Sequence, residues 1–348
     1  MFEQLCKTLD KDSMIKAKNR LDSLSKPLES LGWLEHVIIR LCGIYHTDSP
    51  DIMKKVMVIM CADNGVVEEG VSQVGQEVTS IVAENFTRNI TAINHFTNYM
   101  KQDIHIVDIG MSSDSENLNI HNHKIMNGTC NMVKGPAMTK KQALDAINIG
   151  IDIVKEMKSK GYKLIGTGEM GIGNTTTSTA ILHVFTGYDL DLITGKGAGL
   201  SGEGLEKKKN AIMKACQINL PDKNDPIDVL SKVGGLDIAG MCGLFIGGAI
   251  YGIPVVIDGF ISSVAALVAS RICPNCIEFM IQSHGSHEPG TKYVFEQLGM
   301  EPVLNMKMRL GEGTGASMIM GIIDLAFYTY YHMGTFKDAN VEQYKKHE

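Results

Sequence analysis

Leu164-Ile165-Gly166-Thr167-Gly168-Glu169-Met170-Gly171-Ile172-Gly173-Asn174-Thr175-Thr176-Thr177 decides the fold. A short apolar run passes through a glycine-dense turn into a hydroxyl-rich stretch able to begin a helix. The same order of strand, turn and helix recurs on either side. Val56-Met57-Val58-Ile59-Met60 is apolar without alternation, as expected of a strand buried on both faces of a parallel sheet, and it ends in Cys61-Ala62-Asp63-Asn64-Gly65. Residues 104–107 lead to Asp108-Ile109-Gly110, and Val255-Val256-Ile257 to Asp258-Gly259. Helical stretches at 140–160, 204–217 and 261–271 fill the intervals. This order predicts an α/β fold with a doubly wound, mostly parallel, Rossmann-like sheet, in which ligands gather outside the carboxyl ends of the strands.

The chain ends read differently. Leu21, Leu24 and Leu28 stand at helical spacing up to a break at Pro27, and Ser30-Leu31-Gly32 restarts a helix through Trp33, Val37 and Ile38. Residues 1–45 are therefore expected to form a small helical domain with the C-terminal helical region, 316–348, around an α/β catalytic domain spanning 46–315. With 348 residues, 44% of them hydrophobic, the chain can bury a sizeable core. A net charge of -6 without a basic stripe argues against a nucleic-acid partner. The densest basic run, Lys207-Lys208-Lys209, reads as a solvated helix face. No apolar run approaches the ~20 residues needed to cross a bilayer, and MFEQLCKTLDKDSM lacks a secretory pattern, so a cytoplasmic protein without membrane contact is expected. The eight cysteines are scattered, as in a chain of reduced thiols. Cys273-Pro274-Asn275-Cys276 has the spacing of half a zinc site, but it lacks a second pair and the strand-to-helix setting of a redox dithiol, so metal and redox readings are set aside.

Three glycine loops carry the chemistry. The turn from Gly166 to Asn174 presents N–H groups at a helix start, an anion site, with threonine hydroxyls suited to one compact anion; the alternative is a turn required only for tight packing. It is not a Walker loop. Thr194-Gly195-Lys196-Gly197-Ala198-Gly199-Leu200 leads into a helix bearing Lys208, and together these loops could enclose a phosphomonoester. Ser283-His284-Gly285-Ser286-His287-Glu288 adds hydroxyls and imidazoles in what reads as a capped turn; a metal site at His284 and His287 is not expected. In Leu310-Gly311-Glu312-Gly313-Thr314-Gly315-Ala316, a carboxylate among glycines and beside Met308 and Leu310 is expected to have a raised pKa and serve as a base near neutrality. The alternative is an acid that complements the dipole of the following helix.

Taken together, these motifs resemble the nicotinate-nucleotide:dimethylbenzimidazole phosphoribosyltransferase family, which makes the lower-ligand nucleotide of cobamides. The resemblance runs through Leu24-Ser25-Lys26-Pro27-Leu28-Glu29-Ser30-Leu31-Gly32-Trp33-Leu34-Glu35, Cys61-Ala62-Asp63-Asn64-Gly65-Val66, Gly135-Pro136-Ala137-Met138 and the Glu169 loop. It continues through Ile227-Asp228-Val229-Leu230-Ser231-Lys232-Val233-Gly234-Gly235, Ile257-Asp258-Gly259-Phe260 and Met308 to Ala316.

The resemblance implies transfer of phosphoribose from nicotinate mononucleotide to an aromatic base, with Glu312 as catalytic base. It places Glu169, Gly171, Gly173, Asn174, Thr175 and Thr176 at the nucleotide and Lys208 and Ser286 near its phosphate, with Gly197, Leu310, Gly311 and Gly313 also expected among the substrate-binding residues. It implies small-molecule substrates, no metal or organic cofactor, and a homodimer or a heterodimer with a related chain. Asn64 stands where relatives often have His, and Glu29 where they often have Gly. An ungapped reading puts Val74 and Val82 where relatives hold polar groups against the acceptor, so phenols or purines join the benzimidazoles as candidate acceptors. A non-catalytic nucleotide-binding partner subunit is the alternative from another class.

Overall fold

The computed structural model describes residues 2–197 and 199–344. Its strands are β1 (Lys55–Ala62), β2 (Asp103–Gly110), β3 (Ile120–Asn122), β4 (Leu164–Met170), β5 (Val255–Val256) and β6 (Met280–Ile281). They form one sheet in the order β3-β2-β1-β4-β5-β6, and every pairing is parallel. The doubly wound reading holds. All eight residues of β1 are buried, as its unbroken apolar run requires, and Val56 is paired with Asp103 on one side and Ile165 on the other. From the β1–β4 pair the strand order runs outward in both directions. That is the switch point beside which such sheets bind ligands.

The four strands read from the sequence are present. β3 and β6, with three and two residues, are too short to leave a period in the sequence. The expected helices form as Lys140–Ser159, Gly202–Asn219 and Phe260–Ile272. The first starts with a capping box between Thr139 and Gln142, and the second with Ser201 Oγ accepting from the Gly204 N–H at 3.1 Å, each satisfying a backbone donor that the helix leaves unpaired. Glu29 adopts φ 58°, the left-handed region that glycine enters without strain.

The C-terminal helix, Thr314–His332, begins at the carboxyl edge of the sheet and ends on the N-terminal helices. Gln102 Oε1 accepts from the Ser317 hydroxyl at 2.7 Å near its start. Near its end the Arg20 guanidinium donates to the Tyr330 carbonyl at 2.9 Å, and the Tyr330 hydroxyl donates to the Asp48 carbonyl at 2.8 Å. The chain termini are thus packed together.

One side of the sheet is covered by Lys140–Ser159 lying against Leu236–Tyr251. Their backbones meet at Gly150 and Gly243: a Cβ on Gly243 would lie 2.9 Å from Gly150 Cα and overlap the Ile147 carbonyl. Gly243→Ala is therefore expected to lower stability by about 1–3 kcal/mol, the usual cost of overpacking a well-filled core. Urea denaturation checks this, with Gly202→Ala as the control because a Cβ there meets nothing within 4 Å. Equal stability of Gly243→Ala and the unaltered protein would show that the two helices have room to separate.

Candidate active site

A cleft opens outside the carboxyl ends of β4, β5 and β6. Its walls come from segments far apart in the chain: 169–175, 258–262, 284–288 and 309–312, with Val71, Ser72, Gln73 and Val82 on one side and Lys196, Gly197 and Leu200 on another. Of the residues singled out in the sequence, Glu169, Gly171, Gly173, Asn174, Thr175, Gly197, Ser286, Leu310, Gly311 and Glu312 line it. Thr176, Lys208 and Gly313 lie behind the lining, and all three are buried.

Glu312 sits between two left-handed glycines, with φ 80° at Gly311, 60° at Glu312 itself and 87° at Gly313. A non-glycine residue rests there only when its surroundings hold it. Two contacts do so. Gly168 of β4 lets the Glu312 backbone lie on the strand, since a Cβ at 168 would be 2.9 Å from the Glu312 carbonyl oxygen. Asp258, at the end of β5 and 1% exposed, accepts from the N–H groups of Gly313 at 3.2 Å, Gly315 at 2.8 Å and Ala316 at 3.0 Å. A buried carboxylate thus caps the C-terminal helix and fixes the turn that presents Glu312. Glu312 Oε2 is buried with no hydrogen-bond partner. Burial, and then the Asp258 charge, push its pKa up to about 7, the range in which a carboxylate acts as a base near neutrality.

Across the cleft Glu169 is 7% exposed. Asn174 Nδ2 donates to Glu169 and also to Asp237, at 2.9 Å from the latter. Burial, with the neighbouring Asp237 adding, raises the Glu169 pKa to about 8, and burial raises that of Asp237 to about 6. Glu169 therefore keeps its proton at neutral pH and adds no negative charge beside a bound anion. A Cβ on Gly311 would overlap Glu169 Oε1, so glycine at 311 lets the two acidic loops meet.

The other end of the cleft is built for an anion. The helix Asn174–Thr186 points its start at the opening, with Gly173 in the left-handed region as its N-cap. Lys208 is fully buried, not solvated as its lysine run suggests; it donates to Thr175 Oγ1 at 2.8 Å and to the Gly195 carbonyl at 3.1 Å. Burial lowers its pKa to about 8, opposed by Glu288. With its oxygen engaged by Lys208, the Thr175 hydroxyl has its hydrogen free to donate. Glu288 accepts from the Gly197 N–H at 3.0 Å, and Arg309 donates to the Gly197 carbonyl at 3.2 Å. Ala198 of this loop lies outside the described residues.

Sequence reasoning misses the scaffold of the site. Asp258 reads only as a turn residue, although an acid directly after an apolar strand and before a glycine suits a capping role. Asp237 and Glu288 give no local signal. Of the two valines expected at the acceptor, Val82 lines the cleft, while Val74 is 41% exposed and away from it, its place taken by Val71 and Gln73. His284 is buried and His287 exposed. Among the described residues no group of three His, Cys, Asp or Glu side chains could hold a metal ion.

Residues 6–341 match the family model described as Phosphoribosyltransferase, DBI_PRT. The chain is 52% identical to the nicotinate-nucleotide–dimethylbenzimidazole phosphoribosyltransferase of Clostridium acetobutylicum, over 97% of this chain and 96% of the relative. It is 54% identical to the protein of the same name from Acetivibrio thermocellus, with the same coverage. The crystal structure of CobT from Thermus thermophilus superposes with a TM-score of 0.90 at 33% identity, over 96% of this chain and 100% of that one.

The cluster of raised carboxyl groups has a consequence for stability. Each holds its proton in the folded state at pH values where the unfolded chain has released it, so folding loses stability as pH rises from the unfolded values near 4 to about 8. Glu169→Gln removes the largest of these contributions. Calorimetry is expected to give the same melting temperature as the unaltered protein at pH 5 and a higher one at pH 9. Parallel curves across that range would mean that Glu169 ionises as an ordinary carboxylate.

Proposed function

We propose the reaction from one premise: the chain belongs to the nicotinate-nucleotide–dimethylbenzimidazole phosphoribosyltransferase family. The protein moves 5-phosphoribose from nicotinate mononucleotide to an aromatic lower-ligand base, 5,6-dimethylbenzimidazole in the first instance, giving the α-ribotide and nicotinate in cobamide biosynthesis. The observation that carries the chemistry is Glu312 Oε2, buried and unpartnered on a side chain that lines the cleft.

The bond broken joins the sugar carbon to a pyridinium nitrogen. Its electron pair returns to the ring, and nicotinate leaves with a neutral ring nitrogen, so the departing group needs no proton. Glycoside hydrolysis, with its poor oxygen leaving group, requires a second acid. Here the incoming base needs activation instead. Glu312 takes its N–H proton while the unprotonated ring nitrogen attacks the sugar carbon from the opposite face, inverting it. The start of the helix Asn174–Thr186, the Thr175 hydroxyl oriented by Lys208, Gly197 and Ser286 hold the phosphate, and that anchoring positions the sugar for attack. Glu169, still protonated, lies beside the nucleotide as a neutral donor.

The acceptor wall supports a second reading of specificity. Val71 is buried and Val82 half-buried, and both line the cleft beside Ser72 and Gln73, so shape contacts with the two valines contribute to the choice of acceptor. Benzimidazole lacks both methyl groups of 5,6-dimethylbenzimidazole, each worth about 10-fold or more in an apolar pocket, so it is expected to be the less efficient acceptor by about 10²-fold, and a phenol or adenine competes for the same wall. The enzyme acts in the cytoplasm as a homodimer. Leu325 and Tyr328, 59% and 64% exposed on the C-terminal helix, are apolar surface that a second copy can cover, and sedimentation tests it.

Glu312→Gln is expected to reduce nicotinate release in the presence of dimethylbenzimidazole by about 10²–10⁴-fold, the usual worth of a general base, with the melting temperature retained. Because the base works deprotonated, kcat/KM of the unaltered enzyme rises with pH through about 7 and then levels. Nucleotide binding without turnover by the unaltered chain would instead support a non-catalytic partner subunit.

A further inference from the structure

Three of the eight cysteines meet outside the cleft. Cys6 Sγ lies 3.2 Å from Cys273 Sγ across 267 positions of sequence, and Cys276, one turn beyond Cys273, shares a side-chain hydrogen bond with it. The spacing of Cys273 and Cys276 has no redox context in the sequence because its third member comes from the other end of the chain. Cys273 and Cys276 are fully buried, whereas Cys6 is partly exposed on a segment whose neighbours Glu3, Gln4 and Leu5 are exposed. That segment is laid over Cys273 by the Lys7 N–H, which donates to the Ala249 carbonyl at 2.8 Å.

We propose that Cys6 and Cys273 are a peroxide-responsive dithiol, Cys273 the nucleophile and Cys6 the resolving thiol, whose disulfide staples the N-terminal segment to the end of the helix Phe260–Ile272. The assignment of roles follows from the hydrogen bonds. Cys273 lies between two other thiols, Cys6 at 3.2 Å and Cys276 one turn on, whose hydrogen bonds favour its thiolate, while burial pushes the Cys6 thiol up. Of the three, Cys273 is the one whose thiolate is favoured, and the thiolate is the reactive form. Its sulfur attacks one oxygen of hydrogen peroxide and the O–O bond breaks, giving a sulfenic acid at Cys273 and hydroxide. The Cys6 sulfur then attacks the Cys273 sulfur, the S–O bond breaks, and the oxygen leaves as water with the proton that Cys6 gives up. Two thiols and one peroxide become one disulfide and two waters. A low-pKa thiol beside a resolving one is the usual arrangement of such a sensor, and the burial of Cys273 restricts the oxidant to a small one.

The experiment uses the reduced full-length protein, treated with a few equivalents of hydrogen peroxide, alkylated and mapped without reduction. The expected product is a Cys6–Cys273 linked peptide. In Cys6→Ser, which lacks the resolving thiol, dimedone is expected to label Cys273. Closing so long a loop is expected to raise the melting temperature of the oxidised protein by several degrees, about 5 °C, an effect reversed by a thiol reductant and missing in Cys6→Ser. Reduced Cys6→Ser should melt and turn over like the unaltered enzyme; if it does not fold, the mapped peptide of the unaltered protein decides alone. In Cys276→Ala the same cross-link should form more slowly at pH 7, because Cys273 has lost a hydrogen-bond donor that favours its thiolate. Cross-linking between Cys273 and Cys276, or oxidation confined to the exposed Cys130 with Cys6 and Cys273 still alkylated, would overturn the proposal.

Discussion

The buried carboxylate of Asp258 holds the site together. It ends a strand of only two residues and accepts three backbone N–H groups from the turn that starts the C-terminal helix. Hydrogen bonds to a charged acceptor are each worth about 1.5–3 kcal/mol, enough to offset the cost of about 1–3 kcal/mol for a non-glycine residue held in the left-handed region. Glu312 therefore stays at φ 60° facing the cleft rather than relaxing into solvent. The same charge acts on it a second time, because Asp258 is the neighbouring negative group that adds to burial in raising its pKa. One interaction thus helps fix both where the Glu312 carboxyl stands and when it takes a proton.

The remainder of the cleft divides its charge in a matching way. At the carboxyl end, Glu169 and Asp237 share the amide of Asn174, and Glu169 is held neutral by burial. At the anion end, a helix start, glycine backbone and the hydroxyl presented by buried Lys208 gather positive potential, with the exposed Lys196 at the rim. The cleft thus offers donors at one end and, at the other, the unpartnered carboxyl of Glu312 with its raised pKa. Such separation suits a reaction that needs one proton removed and none supplied.

Much of this is legible in the sequence, for identifiable reasons. β1 and β5 announce themselves because strands buried on both faces leave unbroken apolar runs, β2 and β4 because short, mostly apolar runs end in Asp- or Gly-bearing turns, and the glycine loops do so because close backbone approach excludes every other residue. Glu312 is legible by its setting between two such glycines. What escapes notice depends on contacts across the chain. The β3 and β6 strands are pairing partners too short to carry a pattern. Lys208 looks like a member of a solvated run because its burial comes from the Thr175 and Gly195 loops, more than ten positions away. Asp258 looks like a turn because the N–H groups it caps lie over fifty residues later. The Cys6–Cys273 contact joins opposite ends of the chain, so spacing along the sequence could not disclose it.

The central claim is that Glu312, held by Asp258 in a left-handed turn, changes protonation near neutrality. Isotope-edited infrared titration of its carboxyl in the substrate-free protein, using Glu312→Gln to identify the band, tests that claim most directly. The account expects the protonated carboxyl band to vanish with a midpoint near pH 7. A midpoint near the ordinary glutamate value of about 4.3 would contradict it.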